Sequence, residues 1–185
     1  MPTHSHSLQN NFLIAMPQMH DANFSGAITY ICEHNEHGAM GVIINRPADL
    51  NLDEVLKQLD ISMQVDNQPI YAGGPVQGER GFIIHTGSPN WESSMRVSPT
   101  ICLTTSRDIL EAIGDGKGPK QYLLALGYAG WSEGQLEQEL KENIWLTCRA
   151  NHQVLFNTPD TEKFESAVSI LGINMAQLNG QIGHA

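Results

Sequence analysis

The segment Gly130-Trp131-Ser132-Glu133-Gly134 matches G-x-S-x-G, the pattern that carries the nucleophile of many serine hydrolases. In that chemistry Ser132 attacks an acyl carbon, a histidine accepts its proton and backbone amides stabilise the oxyanion. The order serine, aspartate, histidine can be completed only by Asp160 and His184, and a terminal histidine is a poor general base. Ser132 and Gln135 also have the spacing of a capping box, which is the interpretation we favour. Serine hydrolysis remains an alternative.

A second polar segment, Glu33-His34-Asn35-Glu36-His37, contains two histidines three residues apart beside two carboxylates. These side chains are common metal ligands. Consecutive residues of a strand end or turn do not all face one point, so we expect a solvated turn and neither a metal nor a cofactor. Acid-base catalysis by His34 or His85 with Glu33 is a further alternative.

Other polar and glycine-rich motifs fall at or near the ends of predicted strands. Asn45-Arg46-Pro47 and Gly73-Gly74-Pro75 each follow such a strand, and loops at strand ends often form binding sites. We therefore predict one groove that binds a small molecule or a partner peptide. Its predicted residues are Glu33, His34, Asn45, Arg46, Gly73, Gly74, Pro75, His85, Gly130 and Trp131. The structural alternative is that the glycines and prolines shape turns while the histidines satisfy buried backbone groups.

Composition limits the class of protein. Ten basic and twenty acidic residues give the 185-residue chain a net charge of −10, which disfavours binding to nucleic acid or anionic lipid. Apolar residues make up 41% and charged residues 16%, so we expect one folded domain over residues 1–185 with a flexible stretch at 1–10. The three cysteines form no C-x-x-C pair, and no leader or membrane span is apparent, so a cytoplasmic protein is expected.

Hydrophobic periodicity predicts the elements that position these motifs. Apolar runs bounded by turn residues predict strands at 12–16, 27–32, 40–44, 69–72, 81–85, 95–97, 100–104, 122–126, 144–148 and 154–156. Helical spacing and capping residues predict helices at 52–59, 106–113, 133–143 and from 158–160 to 171–172. A tight turn is predicted at 127–131 and a last short turn at 175–178. This pattern indicates a mixed α+β domain.

The chain contains, in order, Phe12-Leu13-Ile14-Ala15-Met16-Pro17 with Asp21 and Phe24, Glu33-His34-Asn35, Gly38-Ala39-Met40-Gly41, Asn45-Arg46-Pro47, Gly73-Gly74-Pro75-Val76, Arg80-Gly81-Phe82 with His85, Leu126-Gly127-Tyr128-Ala129-Gly130-Trp131, and Gly134-Gln135-Leu136-Glu137 with Glu139 and Trp145. Taken together, these blocks resemble the AlgH/YqgE family. The resemblance implies an α+β fold with a mixed, bent or bifurcated β-sheet that partly closes to a small barrel and is surrounded by helices. It carries over no catalytic residue, because the family is largely uncharacterised. Its name comes from a proposed role in transcriptional control of exopolysaccharide synthesis.

We therefore expect a non-enzymatic cytoplasmic binding or regulatory protein that acts through a small-molecule or protein partner. A transcriptional regulator that contacts DNA directly is an alternative. The sequence shows no helix-turn-helix with a basic recognition helix, and its net charge has the wrong sign for direct contact.

Overall fold

The structure, a computed structural model, describes residues 7–15 and 24–172 of the chain. The predicted general base His184 and the predicted turn at 175–178 lie outside the described residues. Residues 1–6 of the predicted flexible N-terminus also lie outside them.

Ten strands in the described residues form one connected sheet. They are β1 (Asn11–Ala15), β2 (Ile28–Asn35), β3 (Gly38–Ile43), β4 (Pro47–Asn51), β5 (Pro69–Ala72), β6 (Val76–Thr86), β7 (Ser94–Arg96), β8 (Ile101–Thr104), β9 (Tyr122–Trp131) and β10 (Trp145–Arg149). The main order is β10-β1-β2-β3-β9-β6-β8-β7, with all neighbours antiparallel. β5 lies beside β9 in parallel and also pairs with β4. The sheet is therefore mixed and branches at β9.

The sheet curls into a half-barrel whose two ends are joined by side chains. The Gln9 side chain, just before β1, donates to the Val97 carbonyl at 3.0 Å. Thr100 Oγ1 and His152 Nε2 are hydrogen-bonded at 2.8 Å and join the β7–β8 turn to the segment after β10. Apolar side chains from both ends fill the space inside the curl. This architecture confirms the predicted α+β fold with a bent sheet partly closed to a barrel.

Four α-helices surround the sheet in the described residues. They are α1 (Leu52–Gln58), α2 (Arg107–Gly114), α3 (Gln135–Lys141) and α4 (Lys163–Ile170). α1 begins at Asn51, where the Asn51 and Glu54 side chains form a capping box. α1 and α2 pack on one face of β6 and β9, where Leu56 and Leu110 join Ile83 in an apolar cluster. None of the helices in the described ranges has the length and apolar character that crossing a bilayer requires.

The predicted tight turn at 127–131 is wrong. β9 continues through Gly127 to Trp131, and Ala129 and Trp131 pair with Gly41 and Ala39 of β3. Gly127 has a φ of +82° and lies where the β6–β9 register shifts, so it bends the strand at an irregularity without ending it.

The predicted strand at 154–156 is also wrong, because this segment forms a short π-helix at Gln153–Asn157. Asn151 starts it, since its side-chain oxygen accepts the Val154 N–H at 2.8 Å and its carbonyl accepts the Leu155 N–H. The hydroxyl of Thr158 donates to the Gln153 carbonyl and does not cap the next helix. That helix begins as a 3-10 turn at 160–162 and continues into α4.

Candidate functional site

Four consecutive residues of β6 line two different depressions. Side chains alternate along a strand, so Arg80 and Phe82 face one side while Gly81 and Ile83 face the other. Arg80 and Phe82 line one part of a shallow depression at the end of β9, and the whole depression is called the open hollow here. Gly81 and Ile83 line a depression beneath α1 and α2, here called the helix-covered cavity.

The open hollow lies over the paired ends of β3 and β9, where Met40 is opposite Gly130. It consists of two adjoining depressions of about 220 and 490 Å³ that share Ala39, Met40 and Trp131. The remaining lining residues are Glu33, Asn35, His37 and Gly38 in one part and Arg80, Phe82, Tyr128 and Gly130 in the other. The structure therefore brings together Glu33, Gly130 and Trp131 of the predicted groove.

The end of β9 has one side that no described strand covers. Ala129, Gly130 and Trp131 pair with β3 on one side. On the other side, the last β9 residue paired with β6 is Tyr128, opposite Val76. Within the described residues, the backbone groups of 129–131 that point to the β6 side therefore have no strand partner, as at a sheet edge.

A carboxylate clamp positions the wall of the open hollow. Trp131 and Trp145 both donate their indole N–H to Glu139 Oε1, each at 2.9 Å. Gln135 donates to Glu139 Oε2 at 3.0 Å. The clamp ties α3 to the ends of β9 and β10, so the buried Trp131 side chain forms a wall of the hollow and its only polar side-chain atom is already bonded.

Ser132 lies exposed just after β9. Its hydroxyl donates to Gln135 Oε1 at 3.2 Å, and its backbone N–H donates to the same oxygen at 2.9 Å. The Gln135 side chain therefore accepts the Ser132 backbone N–H, as in a capping box. Ser132 is nevertheless not the N-cap of α3, because that helix begins after Gly134. None of the described histidines is hydrogen-bonded to Ser132.

His34 faces away from the open hollow, because it is adjacent to Glu33 in β2. It is buried, and its Nδ1 accepts the Leu8 N–H at 2.8 Å. The proton is then assigned to Nε2, which lies 3.2 Å from Glu137 Oε2. His34 links the N-terminal segment to α3. Within residues 7–15 and 24–172, no group of three histidine, cysteine, aspartate or glutamate residues could hold a metal ion.

His85 is buried far from Trp131. It pairs with Tyr122, nine positions along β9 from Trp131, or roughly 30 Å along a strand. Its Nδ1 donates to the Thr86 carbonyl at 2.8 Å and its Nε2 accepts from Thr104 at 2.7 Å. Burial lowers the pKa of His85, so the ring is neutral at pH 7. His85 satisfies strand polar groups and does not join the open hollow.

Asn45 and Arg46 lie at the opposite end of β3 from Glu33. The Asn45 side chain accepts the Ile28 N–H at 2.9 Å and donates to the Gly26 carbonyl at 3.0 Å. Arg46 donates to the Ser25 carbonyl at 3.1 Å. These contacts hold the turn before β2 in place.

Gly73 and Gly74 allow two backbones to approach closely. A Cβ on Gly73 would lie 2.4 Å from the Gly127 carbonyl oxygen, and one on Gly74 would lie 2.2 Å from the carbonyl carbon of Tyr128. Pro75 is exposed and leads into β6. The structure thus separates much of the predicted groove into positions that support the sheet.

Sequence reasoning missed the helix-covered cavity, which has a volume of about 470 Å³. Its lining residues are Leu50, Val55, Gln58, Leu59, Gly78, Glu79, Gly81, Ile83, Thr105, Ser106, Arg107, Leu110, Leu124 and Leu126. None of the ten predicted groove residues lines it. The available signal was Gly81 within a strand, because an interior glycine often marks close approach or space for a ligand.

A buried lysine was also missed. Lys163 donates to the carbonyls of Ile44 and Leu155 at 2.9 and 3.2 Å, and its Nζ lies 3.8 Å from Asp160. Tyr71 donates to Asp160, and its ring lies 4.7 Å from the Lys163 Nζ. Burial lowers the pKa of Lys163 to about 8, partly offset by Asp160. Lys163 ties α4 to the chain just after β3.

Comparisons with known proteins agree with this architecture. The sequence model of the AlgH-like family matches residues 12–176. A UPF0301 protein of Hahella chejuensis is 51% identical over 179 residues, covering 97% of each chain. A UPF0301 protein of Nitrosococcus oceani is 51% identical over 180 residues, covering 96% of each.

Solved structures give the same result. The solution structure of the AlgH protein from Pseudomonas aeruginosa matches with a TM-score of 0.80 and 46% identity over 100% of both chains. A crystal structure of a Corynebacterium diphtheriae protein matches with a TM-score of 0.71 and 20% identity, covering 87% of this chain and 85% of that one, and shows the fold alone. The resemblance found in the sequence is confirmed, and the chain belongs to the AlgH-like family.

Proposed function

We propose that this protein is a non-enzymatic binding protein whose open hollow receives an extended segment of a protein partner. The observation that carries the proposal is the uncovered side of β9 at 129–131. An extended segment laid against it would form main-chain hydrogen bonds, the usual basis of strand addition.

The surroundings of this edge suit a polypeptide. Half-buried Tyr128 and Met40 line the hollow, and buried Phe82 supports Tyr128, with ring centroids 5.4 Å apart. These apolar surfaces can accept alternate side chains of an added strand. The open hollow is shallow, whereas small-molecule sites enclose most of their ligand.

Charges on the rim suggest the composition of the partner segment. The Arg80 guanidinium lies over the Phe82 ring, 5.3 Å from its centroid, and the side chain is exposed. Exposed Glu33 lies at the other part of the hollow. A matching segment therefore carries an acidic residue toward Arg80 and a basic residue toward Glu33.

Other observations favour a protein partner over hydrolysis and over DNA binding. The contacts of Ser132 within the described residues include no general base, which favours binding over hydrolysis. A net charge of −10 favours a protein partner over DNA, so a regulatory role would act through that partner. We place the protein in the cytoplasm, where its free cysteines Cys32, Cys102 and Cys148 stay reduced.

Native mass spectrometry of untagged protein, isolated gently from lysate, tests the proposal. We expect a reproducible added polypeptide mass, and slower hydrogen exchange at the 129–131 amides in the complex. Gly130→Val should abolish the complex, because it inserts a side chain into the hollow while its Cβ meets only the Tyr128 ring, at 3.4 Å.

Two charge reversals provide a matched comparison. Arg80→Glu should weaken the complex, whereas Arg149→Glu, an exposed residue of β10 outside the hollow, should leave it intact. A bare mass for the wild-type protein, or a complex that survives Gly130→Val, would overturn the proposal.

A further inference from the structure

We propose that the helix-covered cavity is a second binding site, for a small molecule with an apolar body and a single acidic group. This site lies on the other side of β6 from the open hollow and does not depend on the proposed partner segment.

The walls of the cavity are mostly apolar and come from rigid elements. Ile83, Leu124 and Leu126 form the floor, and Leu59 and Leu110 come from the α1 and α2 sides. Ile83, Leu110 and Leu124 belong to one buried cluster, against which Leu59 and Leu126 pack. A volume of about 470 Å³ falls within the usual range for small-molecule sites.

Glycines keep this space open. A Cβ placed on Gly81 would touch only the Leu124 side chain, at an ordinary 3.7 Å, and one on Gly78 would meet nothing within 4 Å. Larger residues would therefore fit at both positions without a backbone clash. Gly81 lies within a strand, where glycine is intrinsically unfavourable, so here it leaves room beside Leu124 at a cost in stability.

Arg107 supplies the polar contact for the acidic group. It lines the cavity, and its side chain is 51% exposed. It donates to the Leu59 carbonyl, and its Nε lies 4.0 Å from Glu111. A guanidinium has five N–H donors in a planar fork that matches a carboxylate, so these contacts leave donors for a ligand.

The remaining charges limit the ligand to one acidic group. Glu79 also lines the cavity and would repel a second anionic group. The N-terminal amides of α2 are not a phosphate site, because the Asp108 carboxylate in the first turn already accepts the Ile109 N–H and would repel a phosphate. A polyphosphate would in addition meet a net charge of −10.

Methyl-resolved NMR with decanoate and 1-naphthoate tests the inference on the intact chain. One probe is a flexible chain and the other a flat ring, and both carry one carboxylate. We expect saturable shifts of the Ile83, Leu110 and Leu124 methyl groups with at least one probe at millimolar concentration. Saturation without shifts at these methyl groups, or no binding of either probe, would overturn the site.

Variants separate this site from the open hollow. Gly81→Val fills the cavity and should weaken the bound probe at least tenfold. Arg107→Gln should weaken the acid several-fold but leave binding of the matching neutral alcohol unchanged. Gly130→Val is the control: it should abolish the partner complex and leave probe binding intact.

The two variants test the position of the site and the acidic group of its ligand separately. Equal probe affinity in wild type and Gly81→Val would contradict the cavity, and equal loss of acid and alcohol in Arg107→Gln would contradict the acidic group. If Gly81→Val does not fold, the methyl shifts of the wild-type protein and the Arg107→Gln comparison still decide the question. Failure of the partner complex alone would leave this site standing.

Discussion

On one side of β6 the open hollow is bounded by strand ends whose positions depend on polar side chains. On the other side the helix-covered cavity is bounded by apolar side chains from two helices and a sheet floor. Glu139 holds Trp131 in the first region, whereas Leu110 and Ile83 pack together in the second. The open hollow thus depends on directional hydrogen bonds and suits main-chain recognition. The helix-covered cavity depends on packing and suits a compact apolar ligand.

Gly127 sets the boundary between the two regions. Leu124 and Leu126 line the cavity, while Tyr128 and Gly130 line the open hollow, although all four have the same parity along β9. An uninterrupted strand would place them on one face. The left-handed conformation of Gly127, at the register shift with β6, reverses the faces.

The largest effect is therefore expected for Gly127→Ala. Alanine would be strained at a φ of +82°, and its Cβ would lie only 2.5 Å from the Gly74 carbonyl oxygen. We expect the free energy of unfolding to fall by about 3 kcal/mol, measured by urea denaturation. Gly116→Ala is the control, because it has a φ of +76° but meets only a Val65 methyl at 3.8 Å. It should cost about 1 kcal/mol, and equal losses would contradict the close approach.

The next effect tests the clamp of the open region. Glu139→Ala removes the acceptor of two indole N–H groups, from Trp131 and Trp145. We expect a loss of about 2 kcal/mol in the free energy of unfolding, because partly buried donors are left without a partner. Just after α3, the exposed Glu142 side chain accepts a hydrogen bond from Gln138, so Glu142→Ala should change the free energy of unfolding little. If Glu142→Ala lowered the free energy of unfolding as much as Glu139→Ala, the predicted stabilisation by the two indole hydrogen bonds would be contradicted.

Local patterns predicted most of the fold. The strand at 69–72 coincides with β5, and the start of α1 at Asn51 was visible from its cap. β4 was missed because Pro47–Asn51 has no apolar run, and it is a strand only through its pairing with β5. The segment Gln153–Asn157 has the apolar composition of a strand, but it forms a π-helix because the Asn151 side chain accepts the Val154 N–H.

The candidate site was less predictable because it depends on long-range pairing. Sequence identified Glu33, Gly130 and Trp131, but only the pairing of β3 with β9 shows that they share one hollow. The predicted groove also included His34 and His85, which are buried and bond to backbone groups. The sequence allowed this alternative but could not choose between it and the groove. The helix-covered cavity requires residues of β6, β9, α1 and α2 to meet, and Gly81 alone did not indicate where they would do so.

Lys163 donates to the Ile44 carbonyl just after β3, the strand whose other end lines the open hollow. Burial lowers the pKa of Lys163 to about 8, below its ordinary 10.5. The folded state therefore disfavours the protonated amine at pH 7, and this cost is relieved as the pH rises above 8. Between pH 7 and 9, the free energy of unfolding of wild type relative to Lys163→Met should rise by about 1 kcal/mol.

The comparison with Lys163→Met separates the effect of Lys163 deprotonation on stability from the effects of other titrating groups. Burial raises the pKa of Cys32, which reduces stability at alkaline pH, but that change occurs in both proteins and cancels. Lys141→Met, in the last turn of α3, should follow the wild-type pH dependence. A difference between wild type and Lys163→Met that does not change with pH would contradict a lowered lysine pKa.

The smallest effect is expected at Ser132, beside the clamp. Its hydroxyl is exposed and donates only to Gln135 among the described contacts, so Ser132→Ala should change the free energy of unfolding by less than about 0.5 kcal/mol. Gln135→Ala should cost more, about 1 kcal/mol, because Gln135 also bonds to Glu139. We expect no labelling of Ser132 by a fluorophosphonate probe, since an unactivated serine is a weak nucleophile. Labelling that disappears in Ser132→Ala would instead show an activated serine and replace the binding proposal with hydrolysis.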